Sequence, residues 1–384
     1  MNFTVFFKNY TYGKIAQEAF ILDWKNGNKD LTLDDIRKKI NETDDQLLNL
    51  INQRAQLVAK VGKVKSKTNT AIYIPEREKQ IFEKLKNNNN SDLPNEAIVS
   101  IFTEIISACR NLEKPLTVSY LGPEASFTHS AAIKQFGSSV KFLSQNSIES
   151  VFFNVTKGFS DYGVVPIENT TEGTVNYTLD KFTDSKLNIV AEIELKITHS
   201  FLSIEDNLKN IKKIYSHPQS FAQCKNWILN HLPNVELIEV NSNSYAAKLA
   251  AKEKYSASIG PEIAALKYNL NSLFTSIEDF EHNTTRFFII GKNINKPSGH
   301  DKTSIMFSPR EKIGALYEAL KYFNDKNINL TMIESRPNKK NSWQYIFFLD
   351  MEGYFKDDNI KKALEEVKAI STDFKILGSY PMNK

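Results

Sequence analysis

The stretch Tyr162-Gly163-Val164-Val165-Pro166-Ile167-Glu168-Asn169-Thr170-Thr171-Glu172-Gly173-Thr174 changes from apolar to polar partway along its length. Its apolar part has the length of a buried strand that is expected to break at Pro166, and residues 175–182 have the pattern of a helix. In open α/β sheets, ligands bind at the carboxyl ends of strands, beside the N-termini of the following helices. The stretch therefore predicts an α/β sheet with a polar binding site; the alternative is an ordinary capped helix start.

The composition is that of a globular protein of two or three domains, with 384 residues, 41% hydrophobic and 24% charged. The formal net charge is only +4 and comes from scattered Lys, which argues against a nucleic-acid partner. No apolar run has the length of a membrane span, and residues 1–30 lack the apolar core of a signal peptide. We therefore expect a cytoplasmic protein with no membrane partner.

The patterns of Cys, His and Gly predict chemistry without a metal or a cofactor. Two Cys are too few for a disulfide framework, and the six His show no zinc-ligand spacing. Neither the Gly-x-Gly of a dinucleotide site nor a P-loop is present.

Only seven of the 49 basic residues are Arg. Because Arg grips carboxylates as Lys cannot, each Arg is a candidate anion ligand or buried ion pair.

Residues 1–30 are left unassigned, and residues 31–114 are predicted to form an all-helical domain. Thr32 and Asp35 fit a capping box, and apolar residues then keep helical spacing for more than thirty residues. Two shorter helices are expected at 75–86 and 94–112. Since two short helices cannot bury so long an apolar stripe, we expect a homodimer of intertwined long helices, with higher homo-oligomers left open.

Two cations, Arg54 and Lys65, interrupt the apolar stripe on one helix face, which suggests a bound anion. The alternative is that each reaches solvent or pairs with a carboxylate. Four segments resemble the all-helical chorismate mutases: Leu33-Asp-Asp-Ile-Arg-Lys-Lys-Ile, Asn52-Gln-Arg, Val61-Gly-Lys-Val-Lys and Pro75-Glu-Arg-Glu-Lys. The resemblance covers the whole helical segment.

The mutase resemblance implies a set of substrate contacts. They are Arg37 (from the partner chain) and Arg54 at the two carboxylates, Lys65 and Glu113 at the ether oxygen, Glu78 at the hydroxyl, and Ile74 and Cys109 beside the substrate. Ile74 stands where some members carry Asp, Cys109 where some carry Ser, and Glu113 where some carry Gln. The reaction is a unimolecular rearrangement, so Arg54, Lys65 and Glu113 would catalyse it by restraint and by charge placed at the breaking C–O bond.

Residues 115–293 alternate strand and helix patterns in two sets, which predicts parallel sheets in two lobes with a cleft between them. Four motifs resemble prephenate dehydratase over 116–292: Gly122-Pro-Glu with Phe127-Thr, Val165-Pro-Ile-Glu-Asn-Thr, Ser216-His-Pro-Gln with Gln223-Cys, and Thr285-Arg-Phe. That family implies a two-lobed fold like that of periplasmic binding proteins. With the helical segment, the chain resembles the bifunctional chorismate mutase/prephenate dehydratases.

Prephenate loses a carboxylate and its ring hydroxyl together, so the enzyme needs a proton donor at the departing oxygen and a grip on the remaining anion. The resemblance makes Thr285 the donor, by a hydrogen bond or by relay from Glu168 or water, and places Arg286 at a carboxylate. Neighbours in a regular strand face opposite ways, so a structural ion pair is the alternative for Arg286. Neutral hydrogen bonds would come from Ser126, Asn169, Thr170, Thr174, Ser216 and Gln223.

Residues 302–384 are predicted to form a βαββαβ unit, a ferredoxin-like α+β sandwich. Two motifs, Gly314-Ala315-Leu316-Tyr317 and Glu334-Ser335-Arg336-Pro337, resemble the amino-acid-binding ACT regulatory domain. The resemblance implies that phenylalanine binds between them, across an interface of two regulatory domains, with its carboxylate at a helix N-terminus and its ammonium at Glu334. A plain helix start at Gly314 is the alternative.

Together the three resemblances imply an enzyme that converts chorismate to prephenate and prephenate to phenylpyruvate, inhibited by phenylalanine. Loss of one activity is one alternative. A non-enzymatic amino-acid-binding protein is the other, because two lobes with an amino-acid-sensing domain also suit a receptor.

Overall fold

The computed structural model describes residues 32–68, 71–280, 282–338 and 344–382. The unassigned segment 1–30 lies outside these residues. The chain forms two compact units, residues 1–60 and 61–384, and helix α1, Leu33–Thr68, contributes to both. Within the described ranges, no helix combines the length and the apolar character needed to cross a membrane.

The described part of the first unit is helical. The predicted capping box at its start is confirmed: the N–H of Asp35 donates to Thr32 Oγ1 at 3.3 Å, and the N–H of Thr32 donates to Asp35 Oδ2 at 3.1 Å. Apolar side chains including Ile40, Leu47 and Leu57 are 53%, 51% and 61% exposed. An apolar stripe therefore faces solvent along this part of α1.

The second unit begins with the end of α1 and two further helices, α2 Pro75–Asn88 and α3 Asn95–Glu113. Between α1 and α2 stands Tyr73, which is fully buried. Its ring centroid lies 4.9 Å from that of Phe136 and 5.2 Å from that of Tyr162. Within the second unit, the segment just before α2 is thus packed onto the lobe that follows.

Two lobes follow the helical segment. Their strands are β1 Thr117–Leu121, β2 Lys141–Gln145, β3 Tyr162–Asn169, β4 Gly173–Thr174, β5 Asn188–Lys196, β6 Ser200–Ser203, β7 Lys213–Ser216, β8 Glu236–Glu239, β9 Ser256–Gly260, β10 Asn271–Phe274 and β11 Thr284–Gly291. Their α-helices are α4 Phe127–Phe136, α5 Ile148–Lys157, α6 Asn176–Asp184, α7 Pro218–Gln223, α8 Lys225–His231, α9 Asn243–Ala250 and α10 Ile263–Tyr268.

The first lobe has the strand order β2-β1-β3-β11-β5, with β4 beside β3, and the second has the order β10-β6-β9-β7-β8. Both sheets are mixed, because β11 is antiparallel to β3 and β5, and β6 is antiparallel to β9 and β10. The two lobes are confirmed, but the prediction of wholly parallel sheets is wrong. Strand β11 returns from the second lobe and completes the first.

Strand β3 continues through Pro166 instead of breaking there. Pro166 lies opposite Phe287, where the register between β3 and β11 shifts. A proline lacks the N–H that a regular ladder needs, so an irregular point of the ladder accommodates it. The polar residues from Glu168 onward therefore belong to the strand end and the turn after it.

The C-terminal part forms the predicted βαββαβ sandwich. Its elements are β12 Asp301–Pro309, α11 Ala315–Asn324, β13 Leu330–Pro337, β14 Tyr345–Glu352, α12 Asp358–Ile370 and β15 Ser371–Pro381. The sheet order is β13-β14-β12-β15, and the two helices cover one face. On the other face, Phe348 and Tyr380 share a buried core with Val165 and Phe288. The sandwich and the first lobe are therefore joined by a common hydrophobic core.

Candidate active sites

Lys65 and Glu113 form an ion pair where the end of α1 meets the end of α3. The Lys65 Nζ and Glu113 Oε1 atoms are 3.2 Å apart, and the two side chains are 19% and 7% exposed. Lys65 Nζ also donates to the carbonyl oxygen of Ile72 at 3.3 Å. Gly62 permits the close approach, because a Cβ there would lie 2.7 Å from Glu113 Cγ. The two groups predicted at the ether oxygen are thus buried neighbours.

Glu78, predicted at the substrate hydroxyl, pairs with Arg110. The Glu78 Oε1 and Arg110 Nη2 atoms are 3.3 Å apart, and the Arg110 side chain is 5% exposed. The guanidinium also lies over the rings of Tyr73 and Phe136, at 5.4 and 5.9 Å from their centroids. A substrate hydroxyl would therefore share Glu78 with a buried cation, a contact that the sequence did not predict.

The other predicted mutase residues are placed as follows. Cys109 is buried within α3, and Ile74 is the partly buried residue that precedes α2. In the first unit, Arg54 is partly exposed and Arg37 is exposed, 3.6 Å from Asp34. The substrate contacts of these four residues stay predictions.

Asn169 and Thr285 lie opposite each other where β3 ends and β11 begins. Asn169 Nδ2 donates to Thr285 Oγ1 at 2.8 Å and to Asn283 Oδ1 at 2.7 Å. Its Oδ1 accepts the backbone N–H groups of Thr171 and Glu172 at 2.9 and 3.0 Å, which fixes the orientation of the amide. Because Thr285 Oγ1 accepts from Asn169, the Thr285 hydroxyl can direct its own proton to a substrate oxygen.

Three of the predicted neutral hydrogen-bonding residues are engaged within the protein. Thr170 Oγ1 donates to the carbonyl oxygen of His282 at 2.9 Å. Ser126 caps helix α4 by accepting a backbone N–H at 3.3 Å. Ser216 is buried, and its Oγ donates to Asn243 Oδ1 at 3.2 Å. These contacts hold the loops around the cleft, so substrate contact by these three residues stays a prediction.

Gln223 ends helix α7 in the second lobe and is partly exposed. Its Oε1 lies 2.8 Å from Nε2 of His199, which stands where the chain first crosses between the lobes. The chain crosses between the lobes in the segment before β6 and again in the segment before β11, and these two segments are bonded to each other. The N–H of Ile197 donates to the carbonyl oxygen of Asn283 at 2.8 Å. The N–H of Ile277 donates to the carbonyl oxygen of His199 at 3.0 Å. His199 is bonded to Gln223 of the second lobe, and Asn283 is bonded to Asn169 of the first. The crossing segments therefore link candidate substrate contacts of the two lobes.

Arg286 points away from Thr285, and the structure contradicts its predicted place at a substrate carboxylate. Its Nη2 lies 2.5 Å from Asp350 Oδ2 and 2.6 Å from Glu192 Oε2. The guanidinium is thus already paired with carboxylates of the protein, as in the alternative of a structural ion pair. Glu168 lies opposite Arg286 in the ladder, 3.9 Å from its Nη1. Strand alternation therefore turns Glu168 away from Thr285, which contradicts the relay between them.

Arg286 belongs to a buried cluster of four charges between the first lobe and the C-terminal sandwich. Lys302 Nζ lies 2.9 Å from Glu192 Oε1, and Ser304 Oγ donates to Asp350 Oδ1 at 2.5 Å. Two cations and two carboxylates leave the cluster neutral, and both oxygens of each carboxylate have a partner. Loss of one member would leave a buried charge unpaired and would therefore be destabilising.

A second link joins Glu334 of the sandwich to the first lobe. Thr174 Oγ1 donates a short hydrogen bond to Glu334 Oε1, and Arg336 Nε donates to Asp180 Oδ1 at 3.1 Å. Alternation along β13 turns these two β13 side chains towards the lobe and leaves Ser335 exposed. Thr174 was predicted at the substrate and Glu334 at the effector, yet the structure bonds them to each other.

The other effector motif lines a pocket of ≈ 320 Å³ at the start of α11. Gly314, Ala315, Leu316 and Tyr317 line it with Tyr345 and Phe347, among others. Gly314 has φ +79°, a left-handed conformation that favours glycine. Of the residues that the structure describes, 334–337 are not among those lining this pocket. The two predicted effector motifs are therefore separate within one chain.

Sequence reasoning missed Gly62, Asn283 and His199. An isolated glycine inside a long helix indicates a close approach, so Gly62 could have been found. Asn283 stands just before the Thr285 motif and could have been included with it. No local pattern marks His199, because its contact is with a residue 24 positions away.

Comparisons with known proteins agree with both parts of the chain. Residues 36–114 match the family Chorismate mutase type II, and residues 118–295 match the family Prephenate dehydratase. The bifunctional chorismate mutase/prephenate dehydratase of Aquifex aeolicus is 46% identical over 353 residues, which are 91% of this chain and 98% of that protein. The protein of that description from Pseudomonas aeruginosa is 44% identical over 352 residues, covering 90% of this chain and 96% of that one.

A solved structure is similar to a large part of this chain. It is the prephenate dehydratase from Arthrobacter aurescens in complex with L-Phe, which is 31% identical with a TM-score of 0.64 and covers 70% of this chain and 90% of that one. Two domain families in this order, and relatives that match nearly end to end, establish that this chain belongs to the bifunctional chorismate mutase/prephenate dehydratase family.

Proposed function

We propose that the two activities of the family reside at two separate sites of this chain. Chorismate is rearranged to prephenate in the helical segment, and prephenate loses CO₂ and water between the two lobes to give phenylpyruvate. The observation that supports the second site best is the hydrogen bond from Asn169 to Thr285, which directs the Thr285 proton to the departing hydroxyl. Assay of both reactions in Thr285 variants tests the assignment.

We assign the mutase to residues 31–114, the dehydratase to 115–293 and an ACT regulatory domain to 302–384. The family matches at 36–114 and 118–295 support the first two boundaries. The two sheets joined by crossing segments suit a fold like that of periplasmic binding proteins. The strand order β13-β14-β12-β15 with two helices on one face supports the third assignment.

The mutase site is completed by dimerisation. Lys65 and Glu113 act at the ether oxygen, Arg54 binds a carboxylate, and Arg37 of the partner chain binds the other. The exposed apolar stripe of α1 in the first unit supports this arrangement. Packing two such stripes together buries apolar surface, and each Å² buried stabilises the dimer by about 25 cal/mol.

Glu113→Gln should retain mutase activity. The ether oxygen is an acceptor, and the Gln NH₂ group can donate to it, whereas the Glu113 carboxylate is paired with Lys65. Rates of chorismate loss for both proteins check this, and an inactive Gln variant would contradict it.

Phenylalanine inhibits the dehydratase from the pocket beside Gly314. The N-terminus of α11 offers backbone N–H groups to its carboxylate, and Tyr345 and Phe347 surround its ring. The Arthrobacter aurescens relative was solved with L-Phe bound. Glu334 lies outside this pocket within one chain, so the Glu334 that meets the ammonium would come from a second copy, across an interface of two regulatory domains. Drawing Glu334 to the ligand must break its bond to Thr174, which would couple effector binding to the first lobe. Inhibition requires tighter binding to that altered arrangement.

Gly314→Asp should remove this inhibition and leave both activities intact. Asp tolerates the left-handed backbone of Gly314, and its carboxylate would repel that of phenylalanine by roughly 1 to 4 kcal/mol, raising the half-inhibitory concentration about fivefold or more. Gly314→Asn has nearly the same shape without the charge and is the control. Dehydratase assays with and without phenylalanine decide, and unchanged inhibition of the Asp variant would place the effector elsewhere.

Point variants suit this question better than removal of residues 302–384. The sandwich contributes Met306, Phe348 and Tyr380 to the core that it shares with the first lobe. Its removal would expose that core, so a loss of activity in the shortened chain would not report on regulation.

A further inference from the structure

His199 is a buried ionisable group between the lobes that the proposed mechanism does not use. Its side chain is held on several sides: the residue is 1% exposed, and the ring of Phe127 packs edge-on with centroids 5.4 Å apart. Its backbone N–H donates to Glu278 Oε2 at 2.8 Å. The imidazole therefore has little freedom to turn away from Gln223.

The contact with Gln223 determines which nitrogen of His199 carries the proton. A carbonyl oxygen only accepts, so Nε2 must be the donor in the 2.8 Å contact with Gln223 Oε1. Nδ1 is buried and has no hydrogen-bond partner in the described part of the chain, which a neutral ring tolerates better than an imidazolium. Burial lowers the pKa of His199, against smaller opposing effects of the Gln223 hydrogen bond and the Glu278 carboxylate.

The same contact fixes the side-chain amide of Gln223. With Oε1 held by His199, the NH₂ group of the amide points in a different direction, and the partly exposed Gln223 side chain can present it to the cleft. Without the donor, the amide could turn over and present its carbonyl oxygen instead. An NH₂ group attracts a carboxylate, whereas a carbonyl oxygen repels one.

We propose that His199 is a positioning residue of the dehydratase: by donating from Nε2 to Gln223 Oε1, it holds the Gln223 NH₂ group in place to bind a carboxylate of prephenate. The inference rests on the proposed dehydratase function. We expect Gln223 to bind the carboxylate that phenylpyruvate keeps. A hydrogen-bond donor on the departing carboxylate would stabilise its negative charge, which must disperse as CO₂ is lost, and would therefore slow the reaction. Such a contact is equal in the ground and transition states, so it governs KM and not kcat.

The test compares His199→Leu with His199→Gln in the full chain. Leu has no donor, so KM for prephenate should rise about 10- to 100-fold with kcat nearly unchanged, the range expected for a hydrogen bond to a charged group. Gln can place an N–H close to the position of Nε2 and should restore most of the affinity. The mutase rate of each variant reports its folding. A KM unchanged in the Leu variant, or equally raised in both, would overturn the proposal.

Variants of Gln223 supply a second test that does not depend on the fold of His199→Leu. Gln223→Glu replaces the NH₂ group by an oxygen and should raise KM more than Gln223→Met. In the Gln223→Met background, His199→Leu should add almost nothing, because the two residues act through one contact. Additive effects, or a well-tolerated Glu, would contradict the inference. Failure of the proposed function would look different, since the parental protein would then not turn over prephenate.

Discussion

The Thr285→Ala variant should consume chorismate at the parental rate and stop at prephenate. Thr285 Oγ1 accepts from Asn169, which leaves its own proton available for the departing hydroxyl, and Ala removes that donor. A positioned proton donor contributes about 10²- to 10⁴-fold to a rate, and the dehydratase should lose activity in that range. The measurement follows chorismate, prephenate and phenylpyruvate separately over time.

Thr285→Ser and Thr284→Ala are matched controls for that result. Ser keeps the hydroxyl and should retain most of the activity, whereas Thr284 takes part through its backbone and should tolerate loss of its side chain. Phenylpyruvate formation by Thr285→Ala at close to the parental rate would remove Thr285 from the mechanism.

Arg54→Lys should damage the mutase and leave the dehydratase unaffected. The planar guanidinium can grip a carboxylate with two parallel hydrogen bonds, a geometry that the Lys ammonium cannot copy. Loss of one charge-stabilising donor costs roughly 2 to 4 kcal/mol of transition-state stabilisation, which is about 30- to 900-fold in rate. Chorismate and prephenate supplied separately to the same preparation give the two rates.

The dehydratase rate of the Arg54→Lys protein is its internal control, because it requires an intact fold. If the mutase rate were unchanged, Arg54 would be a helix-surface cation whose side chain simply reaches solvent.

The parts of the fold that the sequence predicted are those set by local pattern. The capping box at Thr32, the three helices up to Glu113 and the βαββαβ order of the last eighty residues or so all follow from spacing and composition. Strand β11 was missed because its pairing is not local. It returns from the second lobe to lie between β3 and β5.

In the candidate sites, too, contacts marked by sequence motifs were predicted and contacts with distant parts of the chain were not. The motifs predicted that Asn169 and Thr285 belong to one site, and strand pairing places them side by side. Arg286 was misplaced because its partner Asp350 comes from another domain. The bond between Glu334 and Thr174 was not predicted for the same reason. Only the packing of the C-terminal sandwich on the first lobe shows that these charges are already engaged.

That packing also bears on how inhibition could reach the dehydratase. Arg286 follows Thr285 directly in the chain and is bonded to Asp350 of the sandwich, while Thr174 is bonded to Glu334. A shift of the sandwich would therefore act on the β3–β4 hairpin and on strand β11, which together carry the site. The rival view of a non-enzymatic receptor does not account for the helical mutase match at 36–114.

Supplying the purified protein with chorismate alone shows whether one chain carries out the two consecutive reactions. We expect chorismate to disappear, prephenate to form transiently, and phenylpyruvate to accumulate without any added metal or cofactor. Chorismate that stays unchanged, or prephenate that accumulates with no phenylpyruvate, would contradict this expectation and show that one of the two sites is inactive.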